Sequence, residues 1–303
     1  MQKTVVIITG PTGIGKTKTG IEVATHFKTE IISADSRQIY KELCIGTAVP
    51  TKNELNSVTH HFIQTISISD NYNASRYETE ALSLIDKLFK KYNLAIMVGG
   101  SMLYIDAVCK GIDIMPDVDP EIRKELKIKH EMEGLDSLRL LLKNLDPKYY
   151  SHVDLKNPNR IIHALEVCIM TGKPYSSFRS NQKKIRPFKI IKIGLDCDRA
   201  ELYNRINNRV DQMINFGLEK ESKNLLHAKH LNALNTVGYR ELFDYFNGNT
   251  TREKAIELIK RNTRRYARKQ LTWFRNDPEM NWFKPGETAK IITFIENKIN
   301  NDK

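Results

Sequence analysis

A glycine-rich loop near the amino terminus constrains the fold of this chain more than any other segment. Val5 to Thr9 form a run of β-branched residues that Gly10 ends, and such a run is typical of a buried strand in a parallel sheet. A helix is predicted from Lys16 onward. The residues at this junction match G-x-x-x-x-G-K-[ST]: Gly10, Pro11, Thr12, Gly13, Ile14, Gly15, Lys16 and Thr17. The order of strand, loop and helix predicts a phosphate-binding loop.

The loop is suited to a diphosphate or a triphosphate. Its glycines allow backbone N–H groups to turn inward, the following helix adds partial positive charge, and Lys16 adds a full charge. Thr17 can hold Mg²⁺, which is therefore the expected cofactor. A nucleotide hydrolase normally has a magnesium-binding acid at the end of another strand. The run at residues 94–98 ends instead in Gly-Gly-Ser at residues 99–101, which argues against a hydrolase.

Short apolar runs alternate with helical patterns on both sides of a helix-rich middle segment. The runs cover residues 5–9, 31–33, 94–98 and 189–195. Such alternation predicts an α/β fold, with a P-loop NTPase-like parallel sheet core flanked by helices and an inserted all-helical domain. We expect residues 1–114 and 186–303 to form the core domain, with basic helices at its C-terminal end, and residues 115–185 to form the helical insertion.

Three helix starts mark the middle segment. Asp119, Asp146 and Asn157 each precede a proline, and a capping side chain before a proline is typical of a helix N-terminus. The spacing of apolar residues in the third helix predicts four buried side chains. They are those of Ile161, Leu165, Cys168 and Ile169.

The composition indicates a polyanionic partner. The chain has 48 Lys and Arg residues against 36 Asp and Glu, a formal net charge of +12, which favours binding to nucleic acid. Its four cysteines form no C-x-x-C pair, so neither a zinc site nor a disulfide framework is expected. The first apolar run is too short for a signal peptide or a membrane span. We therefore expect a cytoplasmic protein without a membrane partner, acting as a monomer.

Positive charge is concentrated in a predicted helix at residues 251–275. This segment contains nine basic residues against two glutamates, and residues four apart share one side of a helix. Two basic rows are expected: Lys260, Arg264 and Arg268, and beside them Arg261, Arg265 and Lys269. We expect Tyr266, Leu271 and Phe274 to pack inward. The rows are explained either by a solvated surface or by a face that binds RNA phosphates.

Polar side chains follow the second and third apolar runs. In an open parallel sheet, residues just past the carboxyl ends of strands line the ligand crevice, so Asp35 and Ser101 should face the same cleft as Lys16. Asp35 can bind Mg²⁺, cap a helix or accept a proton, and its position alone does not choose among these roles. Ser101 can cap a helix or donate a hydrogen bond to an anionic oxygen.

Three segments together resemble the tRNA dimethylallyltransferase family. They are GPTGIGKT from residue 10, DSRQIY from residue 35 and VGGSMLY from residue 98. Residues 157–167, 205–213, 237–240 and 268–275 extend the resemblance over nearly the whole chain. This family moves a dimethylallyl group from dimethylallyl diphosphate onto N6 of the adenosine just 3′ of the anticodon, position 37. The resemblance implies that activity, with dimethylallyl diphosphate and the anticodon stem-loop of tRNA as partners.

The resemblance also implies roles for individual residues. Residues 10–17 would bind the diphosphate, Asp35 would be the general base toward N6, and Arg209 would pair with the diphosphate. Ser101, which stands where the family has threonine and keeps the hydroxyl, would join Lys16, Asp35 and Arg209 in the catalytic set. The implied tRNA contacts are Asp35, Ser36, Arg37, Gln38, Ser101, Arg123, Asn159, Arg160, Ile161, Ile162, His163, Arg240, Arg268, Lys269 and Arg275. Asn159 and His163 depart from the residues expected at those positions.

Two other functions are compatible with a phosphate loop. A P-loop kinase of a small metabolite would use Asp35 to activate a hydroxyl. An RNA-binding nucleotide switch would bind RNA without any transfer chemistry. A kinase needs neither the basic helix nor the DSRQIY segment, so prenyl transfer to tRNA is the expected function.

Overall fold

Six strands form the central sheet in a computed structural model that describes residues 2–113, 115–116, 119–179 and 183–300. The strands are β1 (Thr4–Thr9), β2 (Ile31–Ala34), β3 (His60–His61), β4 (Leu94–Gly99), β5 (Lys189–Leu195) and β6 (Met280–Phe283). Their order is β3-β2-β4-β1-β5-β6, and each neighbouring pair is parallel. The predicted α/β fold with a P-loop NTPase-like sheet is confirmed.

The central strand β1 is covered on both faces. Val5 and Ile7 pack into the core on one side of the sheet, and Val6 and Ile8 pack into the core on the other. Each fully buried side chain of this kind contributes roughly 1.5–3 kcal/mol. Since both faces are dry, the strand has a continuous apolar sequence instead of an alternating one.

Thirteen α-helices are formed by the residues that the structure describes. They are α1 (Lys16–His26), α2 (Lys52–Ser57), α3 (Ala74–Phe89), α4 (Met102–Lys110), α5 (Pro120–Glu133), α6 (Leu135–Leu145), α7 (Pro147–Tyr150), α8 (Pro158–Thr171), α9 (Arg199–Asn215), α10 (Leu218–Asn224), α11 (Tyr239–Phe246), α12 (Arg252–Arg275) and α13 (Thr288–Asn300). Within the ranges described above, no helix is long and apolar enough to cross a membrane.

The chain divides into two compact units. Residues 1–109 and 185–303 form the first, called the core unit, which contains the sheet. Residues 110–184 form the second, called the helical unit, which contains α5 to α8 and covers most of the segment predicted as an insertion. The helical unit has its own core, in which Leu138 of α6 and Leu165 of α8 are fully buried.

The predicted helix starts in the helical unit are confirmed. Asp119, Asp146 and Asn157 cap α5, α7 and α8, and the side chain of each accepts a hydrogen bond from an amide of the first turn. The predicted burial of Ile169 is wrong, because its side chain is 45% exposed. Ile169 lies in the last turn of α8. Periodicity identifies the apolar face of a helix but not where along its length the packing neighbours end.

Candidate active site

A cleft with a volume of about 580 Å³ lies in the core unit at the carboxyl ends of β1, β2 and β4. Lys16 and Thr17 of the phosphate loop line it together with Asp35 and Ser101, as the sequence predicted, and with Arg209 from α9. Five side chains from four separate segments of the sequence therefore face one space.

The phosphate loop needs glycine at its first position. Gly10 has φ +145°, a conformation that side chains disfavour, and a Cβ there would lie 2.6 Å from the Leu195 carbonyl oxygen. The loop then leads into α1, which begins at Lys16 as predicted. Gly10, Pro11 and Ile14 lie behind the cleft surface, which within the loop is formed by Thr12, Gly13, Gly15, Lys16 and Thr17.

Lys16 lies among backbone carbonyls and beside a second cation. Its Nζ donates to the carbonyl oxygens of Gly10 at 3.0 Å and Pro11 at 2.9 Å. Burial and the neighbouring Arg209 guanidinium lower the pKa of Lys16 to about 7, against an opposing effect of Asp35. A bound anion would relieve this repulsion and favour the charged form of the lysine.

Arg209 is a partly buried guanidinium of α9. It makes no hydrogen bond or ion pair with any residue that the structure describes. Burial lowers its pKa, whereas the Asp35 carboxylate raises it. A guanidinium has five N–H donors in a planar fork suited to phosphate oxygens. Arg209 and Lys16 together give the cleft two cationic groups that could bind an anion.

The Asp35 carboxylate both closes a turn and faces the cleft. Its Oδ1 accepts hydrogen bonds from the amides of Arg37 at 2.9 Å and Gln38 at 3.2 Å. Its Oδ2 has no hydrogen-bond partner among the described residues. In the described chain, no helix directly follows Asp35, so Oδ1 closes a turn and does not cap a helix. Oδ2 stays available to take a proton or a cation.

Ser101 fixes the turn that carries Asp35. Its Oγ accepts a hydrogen bond from the Ser36 amide at 2.8 Å, and its own amide donates to the Ala34 carbonyl at 3.1 Å. Ser101 is buried, and its hydroxyl proton is still free to be donated. The serine thus joins the ends of β2 and β4, which explains why a hydroxyl is needed at this position.

Gln270 of α12 is a site residue that the sequence reasoning missed. This buried side chain accepts from the Thr12 amide at 2.9 Å and donates to the Gly100 carbonyl at 2.8 Å. A Cβ at position 100 would lie 2.4 Å from Gln270 Nε2, so a larger residue there would displace the glutamine amide. The available signal was a glutamine on the same face of α12 as the apolar Ala267 and Phe274.

Glu221 of α10 was also missed. Its carboxylate accepts hydrogen bonds from the amides of Cys44, Ile45 and Gly46 at 2.8–3.1 Å and from the Tyr239 hydroxyl at 2.6 Å. These contacts hold the loop that follows the Asp35 turn. The partners lie about 175 positions apart in the chain, and no local pattern marks such a contact.

Arg37 and Gln38, predicted to contact tRNA, also brace the walls of the cleft. Arg37 Nη1 donates to the carbonyls of Asn232 at 3.0 Å and Ala233 at 3.2 Å. Gln38 Nε2 donates to two carbonyls of the loop that Glu221 holds, those of Thr47 and Ala48. The side-chain oxygen of Gln38 remains available as an acceptor.

The six basic residues of the two predicted rows of α12 differ in their surroundings, and the difference does not follow the rows. Lys260 pairs with Asp211, and Arg264 donates to Asn207 at 2.6 Å, so this side packs along α9. Four residues are exposed and make no hydrogen bond or ion pair within the described residues. They are Arg261, Arg265, Arg268 and Lys269. These four residues are called the open basic face below.

Several other predicted tRNA contacts already have partners. Arg240 lines the cleft and lies 3.9 Å from Glu241. Arg275 is ion-paired with Asp196. In the helical unit, Arg123 makes a bidentate ion pair with the buried Glu166.

The predicted contact segment 159–163 divides into exposed and buried residues. Asn159 and Arg160 are exposed, whereas Ile161 and Ile162 are buried in the core of the helical unit. His163 is partly exposed and lies 3.5 Å from Glu166. The two isoleucine side chains are thus unavailable to a ligand, because α8 turns them into the core.

A magnesium ion in this cleft would depend on a bound diphosphate. Thr17 and Asp35 offer hard oxygen ligands, the type that Mg²⁺ prefers. No group of three or more His, Cys, Asp or Glu that could hold a metal ion occurs among the described residues. The Thr17 hydroxyl with phosphate oxygens and water would form an ordinary magnesium environment, so the residues fit the ion.

A family model described as IPP transferase matches residues 38–277. The chain belongs to the IPP transferase family. A tRNA dimethylallyltransferase of Christiangramia forsetii is 55% identical over 99% of this chain and 100% of its own length. The tRNA dimethylallyltransferase 1 of Bacteroides fragilis is 53% identical over 98% of this chain and 99% of its own length. The family expected from the three sequence segments is confirmed.

Solved structures of IPP transferases have the same fold. The full-length tRNA isopentenylpyrophosphate transferase of Bacillus halodurans is 36% identical, with a TM-score of 0.73 over 99% of this chain and 98% of that chain. The tRNA isopentenylpyrophosphate transferase of Staphylococcus epidermidis is 29% identical, with a TM-score of 0.71 over all of both chains. The match over both full lengths includes the cleft and the helical unit of this IPP transferase.

Proposed function

We propose that the protein transfers a dimethylallyl group from dimethylallyl diphosphate to N6 of adenosine 37, next to the anticodon of tRNA. The relatives named tRNA dimethylallyltransferase at 53% and 55% identity support this reaction. One observation carries it: Lys16, Arg209 and Asp35 share a single cleft. The two cations suit an anionic leaving group, and the carboxylate suits proton removal.

Charge stabilisation at the phosphate end drives departure of the leaving group. An exocyclic adenine amine is a poor nucleophile, so the allylic C–O bond must loosen as the amine attacks. Lys16, Arg209 and the loop N–H groups stabilise the negative charge that develops on the diphosphate, an effect that is usually the largest single contribution. Thr17 is suited to hold Mg²⁺ with diphosphate oxygens, and that ion would supply further charge neutralisation when bound.

Asp35 accepts the proton at the other side of the reacting carbon. A carboxylate is too weak a base to deprotonate a neutral amine, but it can take the proton as N6 becomes cationic during attack. The N6–C bond forms, the C–O bond breaks with its electron pair leaving on the diphosphate, and one N6 proton passes to Asp35 Oδ2. Ser101 keeps the turn of Asp35 in place during this step.

Transfer requires the target adenosine to leave its stack, because the reacting amine belongs to a base. We propose that the open basic face of α12 binds phosphates of the anticodon arm, and that Arg240 and Arg275 add contacts. In the helical unit we propose Arg123, Asn159 and Arg160 as contacts, with the backbone of residues 161–163. We propose that the acting unit is the monomer.

The test is incubation of the protein with radiolabelled dimethylallyl diphosphate, Mg²⁺ and unmodified tRNA. Label should appear in RNA, and nuclease digestion should release it as N6-dimethylallyladenosine. A tRNA with guanosine at position 37 is the matched control and should stay unlabelled. Phosphorylation of a metabolite from ATP without labelling of RNA would establish the kinase alternative instead.

A further inference from the structure

One aromatic side chain lines the cleft beside the turn of α12 that holds the phosphate loop. Tyr266 of α12 was expected to pack inward, but it lines the cleft and is 38% exposed. It is the only Phe, Tyr or Trp among the described residues that line this space. Its hydroxyl makes no hydrogen bond within the described part of the chain.

Tyr266 belongs to a stripe of α12 that faces the cleft. Ile259, Thr263 and Gln270 line the same space, and their spacing of four, three and four residues places all four side chains on one side of the helix. The next side of α12 carries Lys269, part of the open basic face. An aromatic ring therefore lies between a cleft and a cationic surface.

Tyr266 shares the charged neighbour Asp35 with the two cations of the cleft. The negative charge of Asp35 opposes the lowering of the pKa of Lys16 and of Arg209. These two cations form the phosphate end. Burial and Asp35 raise the pKa of Tyr266 to about 12, against an opposing effect of Arg37. The hydroxyl stays protonated and is able to donate.

Other aromatic residues near the site are already packed. Tyr77 stacks on Tyr104 with ring centres 4.1 Å apart, and Phe62 packs edge-on against Tyr77 at 5.3 Å. Trp273 donates its indole N–H to Asp106 at 2.9 Å and does not line the cleft. Tyr266 is the ring that a ligand in the cleft can reach.

We propose that Tyr266 stacks on the flipped adenine and holds its N6 amine beside Asp35. An aromatic ring next to a cationic surface is the usual arrangement for an unstacked base. The proposal rests on the proposed function and assigns the nucleobase subsite within it. Tyr266 positions the acceptor and takes no part in bond breaking.

The test compares Tyr266→Phe, which keeps the ring, with Tyr266→Leu, which removes it. Stacking of one base on an aromatic ring strengthens binding about tenfold or more. Tyr266→Leu should raise KM for an anticodon stem-loop RNA about tenfold and leave KM for dimethylallyl diphosphate unchanged. Tyr266→Phe should stay within about threefold of the parent protein for both. Circular dichroism and thermal unfolding check that both variants are folded.

A second readout does not depend on turnover. A stem-loop with 2-aminopurine at position 37 lacks the reacting amine, and its fluorescence is quenched by stacking on an aromatic ring. The complex with Tyr266→Phe should be dim, and the complex with Tyr266→Leu should be several-fold brighter. Equal fluorescence, or an unchanged KM for RNA in Tyr266→Leu, overturns the stacking role. If the parent protein itself transfers no label to tRNA, the proposed function fails instead.

Discussion

The two ends of the cleft are built in different ways. The phosphate end is formed by eight consecutive residues, Gly10 to Thr17, with Arg209 added from α9. The acceptor end is formed by the short turn at Asp35 and by side chains of α12 that lie more than 200 positions later in the chain. One end is a local motif, and the other depends on tertiary packing.

This difference separates two kinds of contribution to the reaction. At the phosphate end, charge acts directly on the leaving group, so a lost charge weakens donor binding and bond breaking together. At the acceptor end, hydrogen bonds hold the groups that meet the base, so a lost contact affects transfer or RNA binding and spares the donor. Substitutions at the two ends should therefore give different patterns of KM and kcat.

The largest effect is expected at the acceptor end. Asp35→Asn keeps Oδ1, which accepts from the Arg37 and Gln38 amides, and removes only the proton acceptor. We expect kcat to fall about 10²–10⁴-fold, as for loss of a general base, with little change in dimethylallyl diphosphate binding measured by calorimetry. Asp35→Glu is the companion variant, since it restores a base at a shifted position. Full turnover by Asp35→Asn would remove the base assignment.

Lys16→Met should give the opposite pattern. It removes the charge and keeps a side chain of similar length, so donor affinity and kcat should both fall. The two losses combined should be about 10²–10³-fold. The KM for tRNA should change little. Donor binding and single-turnover transfer measure the two parts separately, and an unaltered donor affinity would contradict a diphosphate site at this loop.

The pH dependence of donor binding sharpens this test. The lowered pKa of Lys16, about 7, means that the ammonium is charged below pH 7 and loses its proton above it. Affinity for the diphosphate should therefore fall as pH rises through 7, by up to about tenfold per unit. A bound anion favours the charged lysine, so binding above pH 7 should take up a proton. Calorimetry in buffers of different ionisation enthalpy measures that uptake, which Lys16→Met should lack.

The contrast between the two ends also explains what the sequence could predict. Lys16 and Asp35 were found because a contiguous motif and the ends of parallel strands place residues without knowledge of the packing. Gln270 was missed because its partner Thr12 lies 258 positions away. Tyr266 was assigned to the wrong environment, since helical periodicity does not distinguish a face that meets a core from one that meets a cleft.

A smaller effect is expected where α12 meets the phosphate loop. Gln270→Met leaves the Thr12 amide and the Gly100 carbonyl without their partner, and an unsatisfied buried group costs roughly 1–3 kcal/mol. Unfolding free energy should fall by about that amount, and transfer should slow by about tenfold because the loop is held less firmly. Gln212→Met is the control, because that exposed glutamine lines the cleft without any side-chain hydrogen bond to a described residue. Equal loss in both variants would mean that the Gln270 contacts do not brace the loop.

The smallest effect per residue is expected on the open basic face, where contacts act at the surface through charge. Arg268→Gln with Lys269→Gln should weaken tRNA binding several-fold at moderate salt. The slope of log Kd against log salt should become shallower by roughly 0.7–0.9 for each lost phosphate contact. Lys254→Gln with Lys290→Gln removes equal charge from residues paired with Glu257 and Glu287, and should leave the slope nearly unchanged. If both double variants reduce the slope equally, net charge attracts the RNA and the open basic face has no specific role.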